Sequence, residues 1–372
     1  MRIELLSIAS LQAAYGPAGA KLLPPGLPLP PPPLESAVDT PGKMKVEIDR
    51  VSVARADIAW GSDDSAAGGI LGTRAETVTE GTGAMRAMLK GGTFRQSGWP
   101  DLPLESATVR YARPMLHLEG AKLRLPSLAS PEDEDGKKKE EADAGDISVA
   151  GEVRFEEATP LEARLKFTHC PVGPLLPERW RARLLGGRFE GEAKVNAALR
   201  DEKAPASYRG SFDARDGTLH EMKMLREIAH ITDREEFRRL RLRRVRAEFV
   251  WDGHKLTVRN FAGDAGREKL LRVEGEFEIE DQRIDGTFQI GVTPGIIEKI
   301  PGARERVFTR ESDGYVWTRV RLTGSLDHPH EDLRERLVAA AKAEIANRFL
   351  GTLLGPGKEV LKLLEGFEDI IE

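Results

Sequence analysis

The feature that most constrains this chain is a strict alternation of apolar and charged residues. In the segment 271–279 every second residue is Leu, Val, Gly, Phe or Ile, and every residue between them is Arg or Glu. Successive side chains of a β-strand point to opposite faces of a sheet, so this segment predicts a strand with one apolar and one solvated side. The pattern recurs at 147–155, 161–167, 189–199, 284–292 and 316–326. The sequence therefore predicts a mainly β chain with antiparallel sheet that has one solvated face.

Short turn signals separate the alternating segments. Asp216-Gly217 follows Phe212 and Asp252-Gly253 follows Trp251, and Asp-Gly is suited to a tight hairpin. Regular helices do not separate the strands, so a doubly wound α/β fold is not expected.

Two regions depart from the alternation and predict helices. The segment His220–Ile231 carries apolar residues at helical spacing and predicts one short internal helix. From Leu333 to Phe349 apolar residues recur every four positions, and Val360–Ile371 shows a similar pattern. These two segments predict C-terminal amphipathic helices.

The same patterns divide the chain into four parts. Residues 1–40 form a predicted N-terminal strand followed by a Pro-rich spacer, because the run PPGLPLPPPP at 24–33 cannot pair in a sheet. Residues 41–209 form a β-repeat region. Its insertion at 131–145 has charged blocks without apolar residues and is predicted to be disordered. Residues 210–330 form a second β region, and residues 331–372 form the terminal helices.

Composition and motifs exclude several functional classes. The chain has 56 basic and 61 acidic residues and a net charge of -5, which does not suggest a dedicated nucleic-acid binder. No segment approaches the ~20 apolar residues of a membrane-spanning helix. Cys170 is the single cysteine, which excludes an intramolecular disulfide framework and a Cys-rich zinc site. The histidines form no metal-binding motif, and no nucleophile or phosphate-binding motif is present. The sequence therefore predicts no enzyme, no metal and no cofactor.

The segment Arg234–Arg246 contains seven arginines in thirteen residues. A guanidinium group suits phosphate because it can donate two parallel hydrogen bonds. The candidates for binding an anionic lipid head group are Arg241, Arg243, Arg244 and Arg246. Alternatively, the cluster is a solvated strand surface that Glu235 and Glu236 partly neutralise.

From Gly210 to Leu333 the chain resembles the C-terminal region of AsmA-like proteins, a bacterial envelope family. The matching segments are GSFDARDGTLH at 210–220, Phe237 and Leu240, VWDG at 250–253, Leu256–Phe261, VEGEF at 273–277, IDGTF at 284–288 and VRLTGSLDHP at 320–329. The region from Val46 to Leu199 resembles the preceding β repeats of this family more loosely.

The resemblance implies a long antiparallel sheet that is curled into an open groove (β-taco-like), apolar inside and polar outside. It also implies a relation to bridge-like lipid-transfer proteins, and hence to outer-membrane assembly and phospholipid movement. The family offers no catalytic residues. Its members usually begin with a transmembrane helix, whereas this sequence shows neither that helix nor a clear secretory signal. We therefore expect a periplasmic or inner-membrane-associated protein of the cell envelope whose anchor is absent from this chain.

The resulting expectation is a non-enzymatic lipid-binding or lipid-transfer protein that shields acyl chains in an apolar groove. Its expected partners are a phospholipid or another acyl-chain lipid and proteins of the envelope, without nucleic acid. The predicted lipid contacts are Val273, Phe277, Ile279, Phe288, Ile290, Val320 and Leu322, with Phe249 and Trp251 at the margin. Two alternatives remain: these residues pack a closed sandwich core, or the chain is a β scaffold that docks partners through sheet edges and terminal helices.

Overall fold

The computed structural model describes residues 2–15, 47–61, 67–80, 83–127, 144–156, 159–176, 178–198, 205–220, 226, 229, 234–266, 270–326 and 328–351. These residues are mainly β and form curled, largely antiparallel sheet with few helices, which confirms the predicted fold class.

Twenty strands and four α-helices are described, together with short 3-10 turns at Gly173–Leu175 and Glu235–Phe237. The strands are β1 (Arg2–Ile3), β2 (Leu6–Tyr15), β3 (Glu47–Ile48), β4 (Arg50–Trp60), β5 (Gly68–Glu80), β6 (Ala84–Lys90), β7 (Thr93–Gln96), β8 (Leu102–Ala112), β9 (Met115–Leu125), β10 (Gly145–Arg154), β11 (Pro160–Pro171), β12 (Leu184–Ala198), β13 (Ser207–His220), β14 (Arg239–Trp251), β15 (Lys255–Ala265), β16 (Leu271–Glu280), β17 (Arg283–Val292), β18 (Arg310–Ser312), β19 (Tyr315–Ser325) and β20 (Pro329–Glu331). The helices are α1 (Glu178–Arg181), α2 (Pro294–Ile297), α3 (Ala303–Arg306) and α4 (Leu333–Gly351).

The chain divides into two compact units. Unit 1 comprises Met1–Leu175 and Phe189–Ser207, and unit 2 comprises Leu176–Arg188 and Tyr208–Glu372. The predicted boundary at residue 210 lies next to the start of the long second part of unit 2.

In unit 1, β2 pairs with β4 in parallel, and the pairings from β4 to β11 are antiparallel. Strands β6 and β7 both lie between β5 and β8. The core of this unit lies on one side of these strands. Its fully buried members include Ala56, Leu102, Leu125, Ile147 and Cys170.

In unit 2, the antiparallel order is β13, β14, β15, β16, β17 and β19, with β18 and β20 on the outer side of β19. The hairpin predicted at Asp252-Gly253 is confirmed, since it joins β14 to β15. The Asp252 carboxylate accepts the backbone N–H groups of Lys255 at 2.9 Å and His254 at 3.2 Å. These bonds, led by that from Lys255, lower the pKa of Asp252.

The hairpin predicted at Asp216-Gly217 is wrong, because both residues lie inside β13. Asp216 adopts a positive φ of 58° there, and the pairing with β14 continues on both sides of it. Gly217 is buried close to Leu184 and Leu242. The dipeptide therefore turns the backbone locally and leaves the strand pairing intact.

The C-terminal helix predicted from Leu333 is confirmed as α4. Most of the internal helix predicted at His220–Ile231 lies outside the described residues, and His220 itself ends β13. The Pro-rich spacer and the helix predicted at Val360–Ile371 also lie outside the described residues. Nearly all of the predicted insertion 131–145 also lies outside the described residues. Its last residue, Gly145, begins β10 instead, and a Cβ there would stand 2.3 Å from Cα of Cys170.

Candidate functional site

The strand register of unit 2 brings the apolar positions of six strands onto a common face. Phe249 pairs with Val258, Val258 with Phe277, Phe277 with Gly286, and Gly286 with Leu322. Directly opposed residues of neighbouring strands share one face of a sheet. This surface, called the apolar face below, consists of Tyr208, Gly210, Phe212, Ala214, Gly217, Leu219, Leu240, Leu242, Val245, Ala247, Phe249, Trp251, Leu256, Val258, Phe261, Gly263, Ala265, Leu271, Val273, Gly275, Phe277, Ile279, Ile284, Gly286, Phe288, Ile290, Val292, Val316, Thr318, Val320, Leu322 and Gly324. None of these described positions carries a charge.

One end of the apolar face, the covered end, is packed under helices. Its strand residues include Leu240, Ala265, Val292 and Val316, all buried. They form one core with side chains from α2, α3, α4 and the segments that flank these helices: Ile296, Ile297, Ile300, Ala303, Val307, Phe308 and Ala340. This end is therefore an ordinary hydrophobic core.

The other end, the open end, carries a cluster of three aromatic rings. The ring centroids of Phe261 and Phe277 are 6.1 Å apart, those of Phe261 and Phe288 are 6.1 Å apart, and those of Phe277 and Phe288 are 5.9 Å apart. All three rings are half-buried, and none belongs to the core under the helices. This aromatic triad is a partly exposed apolar surface on the described part of unit 2.

Two glycines make room for the rings of Phe277 and Phe288 on the sheet. A Cβ at Gly286 would stand 2.6 Å from Cβ of Phe277 and 2.9 Å from Cε2 of Phe288. A Cβ at Gly275 would stand 2.8 Å from Cδ1 of Phe288. Real Cβ atoms do not approach that closely, so the rings occupy the space that the missing side chains leave.

The seven predicted lipid-contact residues all lie on the apolar face, but their burial differs. Val320 is buried, with 4% of its surface exposed, and Ile290 packs against the core of the covered end. The half-buried members are Val273, Phe277, Ile279, Phe288 and Leu322. Phe249 and Trp251, predicted at the margin, are also half-buried and lie on β14, two strands from Phe277.

The sequence prediction missed Phe261, the third ring of the triad. Asn260 has a positive φ of 52°, and the register between β15 and β16 shifts between Val258 and Phe261. Two residues of the same face are therefore three positions apart instead of two. The break in an otherwise regular alternation is the signal that could have identified this irregularity.

The opposite face of unit 2 is polar and is crossed by ion pairs between neighbouring strands. Lys255 Nζ lies 2.6 Å from a carboxylate oxygen of Glu278, and this bond raises the pKa of Lys255. Arg321 Nη2 lies 3.3 Å from Oδ2 of Asp285 on the neighbouring strand. The face is exposed and suited to water rather than to an apolar ligand.

The four arginine candidates do not line the apolar face. Arg244 and Arg246 alternate with Val245 and Ala247 and so point to the polar side. Arg244 donates hydrogen bonds to both carboxylate oxygens of Asp213. That interaction lowers the pKa of Asp213 and raises the pKa of Arg244, while partial burial of Asp213 opposes its shift.

The other two arginine candidates are exposed as well. Arg241 Nη2 lies 2.9 Å from Oδ1 of Asp216, and Arg243 stands where the β14–β15 register shifts. The aspartates of β13, which sequence reasoning did not connect with the cluster, therefore neutralise two of the four candidates.

Unit 1 carries an uncharged row of its own. The row runs through Thr79, Met85, Tyr111, Leu116, Val153 and Leu161. Met85 is 44% exposed, and Phe155 is 47% exposed. The ring of Phe155 meets that of Tyr111 edge to face, with 6.0 Å between the ring centroids. Sequence reasoning named none of these residues as a site.

Among the described residues, no three His, Cys, Asp or Glu side chains are placed to hold a metal ion. Within the same ranges, no helix has the length and hydropathy to cross a membrane. No family model matches the chain, and neither the curated proteins nor the solved structures gave a match.

Proposed function

We propose that this chain is a non-enzymatic, AsmA-like lipid-binding protein of the bacterial cell envelope, and that the open end of its apolar face binds an acyl chain. The observation that carries the proposal is the contrast within one uncharged face. Helices bury its covered end, whereas the aromatic triad at its open end stays half-buried. The resemblance in residues 210–333 supports a contribution to lipid transfer, outer-membrane assembly or lipid homeostasis.

The chemistry of the open end favours hydrocarbon over a polar ligand. Its side chains at Val273, Phe277, Phe288 and Leu322 offer no hydrogen-bond donor or acceptor. Removing apolar surface from water stabilises a complex by about 25 cal/mol per Å², without directional contacts. Such a surface would shield a chain without performing a reaction on it.

The dimensions of the open end also suit an acyl chain. From Val273 to Ile279, β16 spans six residue steps, or about 20 Å at about 3.4 Å per residue. One leaflet of a bilayer holds about 15 Å of hydrocarbon. A single chain could therefore lie along the strand over most of its length.

We do not propose that the arginine cluster binds the lipid head group. Arg244 and Arg246 point away from the apolar face, and Arg241 and Arg244 already bind aspartates. A head group would remain in solvent at the rim of the face.

The scaffold alternative requires an accessible sheet edge, and in unit 2 the outer edge of β19 is occupied. Its two ends pair with β18 and β20. Between them, Arg321 N–H donates to Asp332 Oδ1 at 2.9 Å, and Arg336 donates to the carbonyl of Arg319. Asp332, next to α4, and Arg336, within α4, therefore occupy backbone groups to which a further strand would pair. In unit 2 the apolar face is the better binding surface.

The test is mass spectrometry of lipids extracted from the chain purified without detergent, followed by titration with a fluorescent phosphatidylcholine. Phe288→Asp should remain folded and lose both the co-purifying lipid and the titration signal. Gln289→Asp is the matched control, because it places the same charge one residue away on the polar face, and it should keep both. Folded wild-type protein without lipid, or equal binding by the two variants, would contradict the proposal.

A further inference from the structure

Strand β2 is the edge of the unit 1 sheet in the described part of the chain. It pairs with β4 over Leu6–Tyr15, and the residue pairings of the described strands include none on its other side. An edge strand presents a row of backbone N–H and C=O groups to which another strand can pair.

This edge lacks the features by which proteins usually prevent such pairing, which are charges, prolines, bulges and short length. The ten residues of β2 contain no charge, no proline and no glycine. Leu11 is 43% exposed, although it pairs with Ala56, which is fully buried. The edge is thus long, neutral and partly apolar.

The far edge of unit 2 shows the opposite design. Strands β18 and β20 have three residues each and carry Arg310, Glu311, Pro329 and Glu331. The middle of β19 is closed by Asp332 and Arg336. A head-to-tail contact between β2 of one copy and this edge of the next is therefore blocked.

We propose that two copies of this chain associate through antiparallel pairing of their β2 strands about a two-fold axis. A two-fold axis makes the same strand serve both sides of the contact, so no second open edge is needed. With the axis perpendicular to the sheet, the apolar sides of both copies face the same way. Leu11, and Ile8 beside the buried Val53, would then gain an apolar neighbour.

The first test measures the molar mass of the full chain by size-exclusion chromatography with light scattering. Wild type should run as a dimer of the 41.0 kDa chain. The double variant Ala9→Lys/Leu11→Lys, which adds charge at exposed positions of β2, should run as a monomer with an unchanged circular dichroism spectrum. The control His330→Lys adds one positive charge to the closed edge at β20 and should remain a dimer. A monomeric wild type would overturn the proposal.

The second test fixes the register by single-cysteine cross-linking. Cys170 is buried, so the natural chain gives little background. In an antiparallel pair about a two-fold axis, only residues at the axis face their own copies closely enough for a disulfide, which needs Cα atoms about 4.4–6.8 Å apart. Cysteines placed singly from Ser7 to Ala14 should therefore cross-link at one position or at two adjacent ones. Cross-linking at every position would indicate parallel pairing, and cross-linking at none would place the contact elsewhere; either result would overturn the proposal.

Discussion

The covered and open ends of the apolar face are built from the same strands by the same alternation, yet they differ in what lies on them. At the covered end, Val292 and Val316 are buried beneath side chains such as Ile296 and Phe308. At the open end, Phe277 and Phe288 stay half-buried. Alternation therefore determines which side of a strand is apolar, and the chain segments that follow determine whether that side becomes core or binding surface.

The largest effect should come from a charge placed at the covered end. Val292→Asp buries a carboxylate beneath the helices, four residues along the same strand from Phe288, and should cost at least about 4 kcal/mol. Hydrogen exchange followed by mass spectrometry should show loss of protection in β16, β17 and β19. If Val292→Asp were tolerated as well as Phe288→Asp, the two ends would not differ in packing.

Truncating one aromatic ring at each end of the apolar face should also lower stability more at the covered end, with smaller losses than a buried charge causes. Phe308→Ala removes a ring that is 2% exposed and should cost about 3–5 kcal/mol. Phe288→Ala removes a half-buried ring, which contributes less hydrophobic free energy to folding than a buried ring does. It should cost about 1–2 kcal/mol. Urea unfolding measures both, and equal losses would place Phe288 in a closed core.

A third prediction concerns the glycine beneath the triad. Gly286→Val introduces a Cβ that would overlap Cβ of Phe277, so the sheet and the rings must shift, at a cost of about 1–3 kcal/mol. Binding of fluorescent phosphatidylcholine should weaken, because the new side chain displaces the rings of Phe277 and Phe288 from their positions on the apolar face. Gly295→Val is the control, since a Cβ there meets no atom within 4 Å. Unchanged binding by a folded Gly286→Val variant would mean that lipid binding does not depend on the positions of these rings.

The strands and the apolar face could be predicted from sequence because both depend on local alternation. The segments at 271–279 and 284–292 became β16 and β17 with the expected side chains on one face. The short helices α2 and α3 were not predicted, because one turn of helix gives too little periodicity to recognise. The distinction between covered and open ends depends on those helices and was therefore inaccessible.

The two Asp-Gly pairs show a second limit of sequence reasoning. Asp252-Gly253 makes the predicted hairpin, whereas Asp216-Gly217 lies within a continuous strand. Both positions use the tolerance of Asp and Gly for unusual backbone angles. Local sequence indicates that tolerance, and the pairing with neighbouring strands decides whether the chain reverses. The pairing of Asp216 with Arg241 likewise exists only because β13 and β14 are neighbours.

The smallest predicted effect tests whether the arginine cluster belongs to the structure of the polar face. Asp213→Asn should lower the melting temperature slightly at neutral pH, because it removes the carboxylate that binds Arg244 and Arg215. Asp285→Asn is the control: the Asp285 side chain is 65% exposed, against 25% for Asp213, so its loss should matter less.

The pH dependence of this effect has a definite sign. The bond from Arg244 lowers the pKa of Asp213 in the folded chain below the value of about 3.9 expected when unfolded. The contribution of the ionised Asp213 carboxylate to stability is therefore complete above about pH 4, and it is lost as the pH falls through the folded-state pKa of Asp213. The difference in melting temperature between wild type and Asp213→Asn should be constant near neutral pH and shrink in acid. A difference that grew on acidification would show that Asp213 is not stabilised by its arginines, and the cluster would then again be a candidate for binding an external anion.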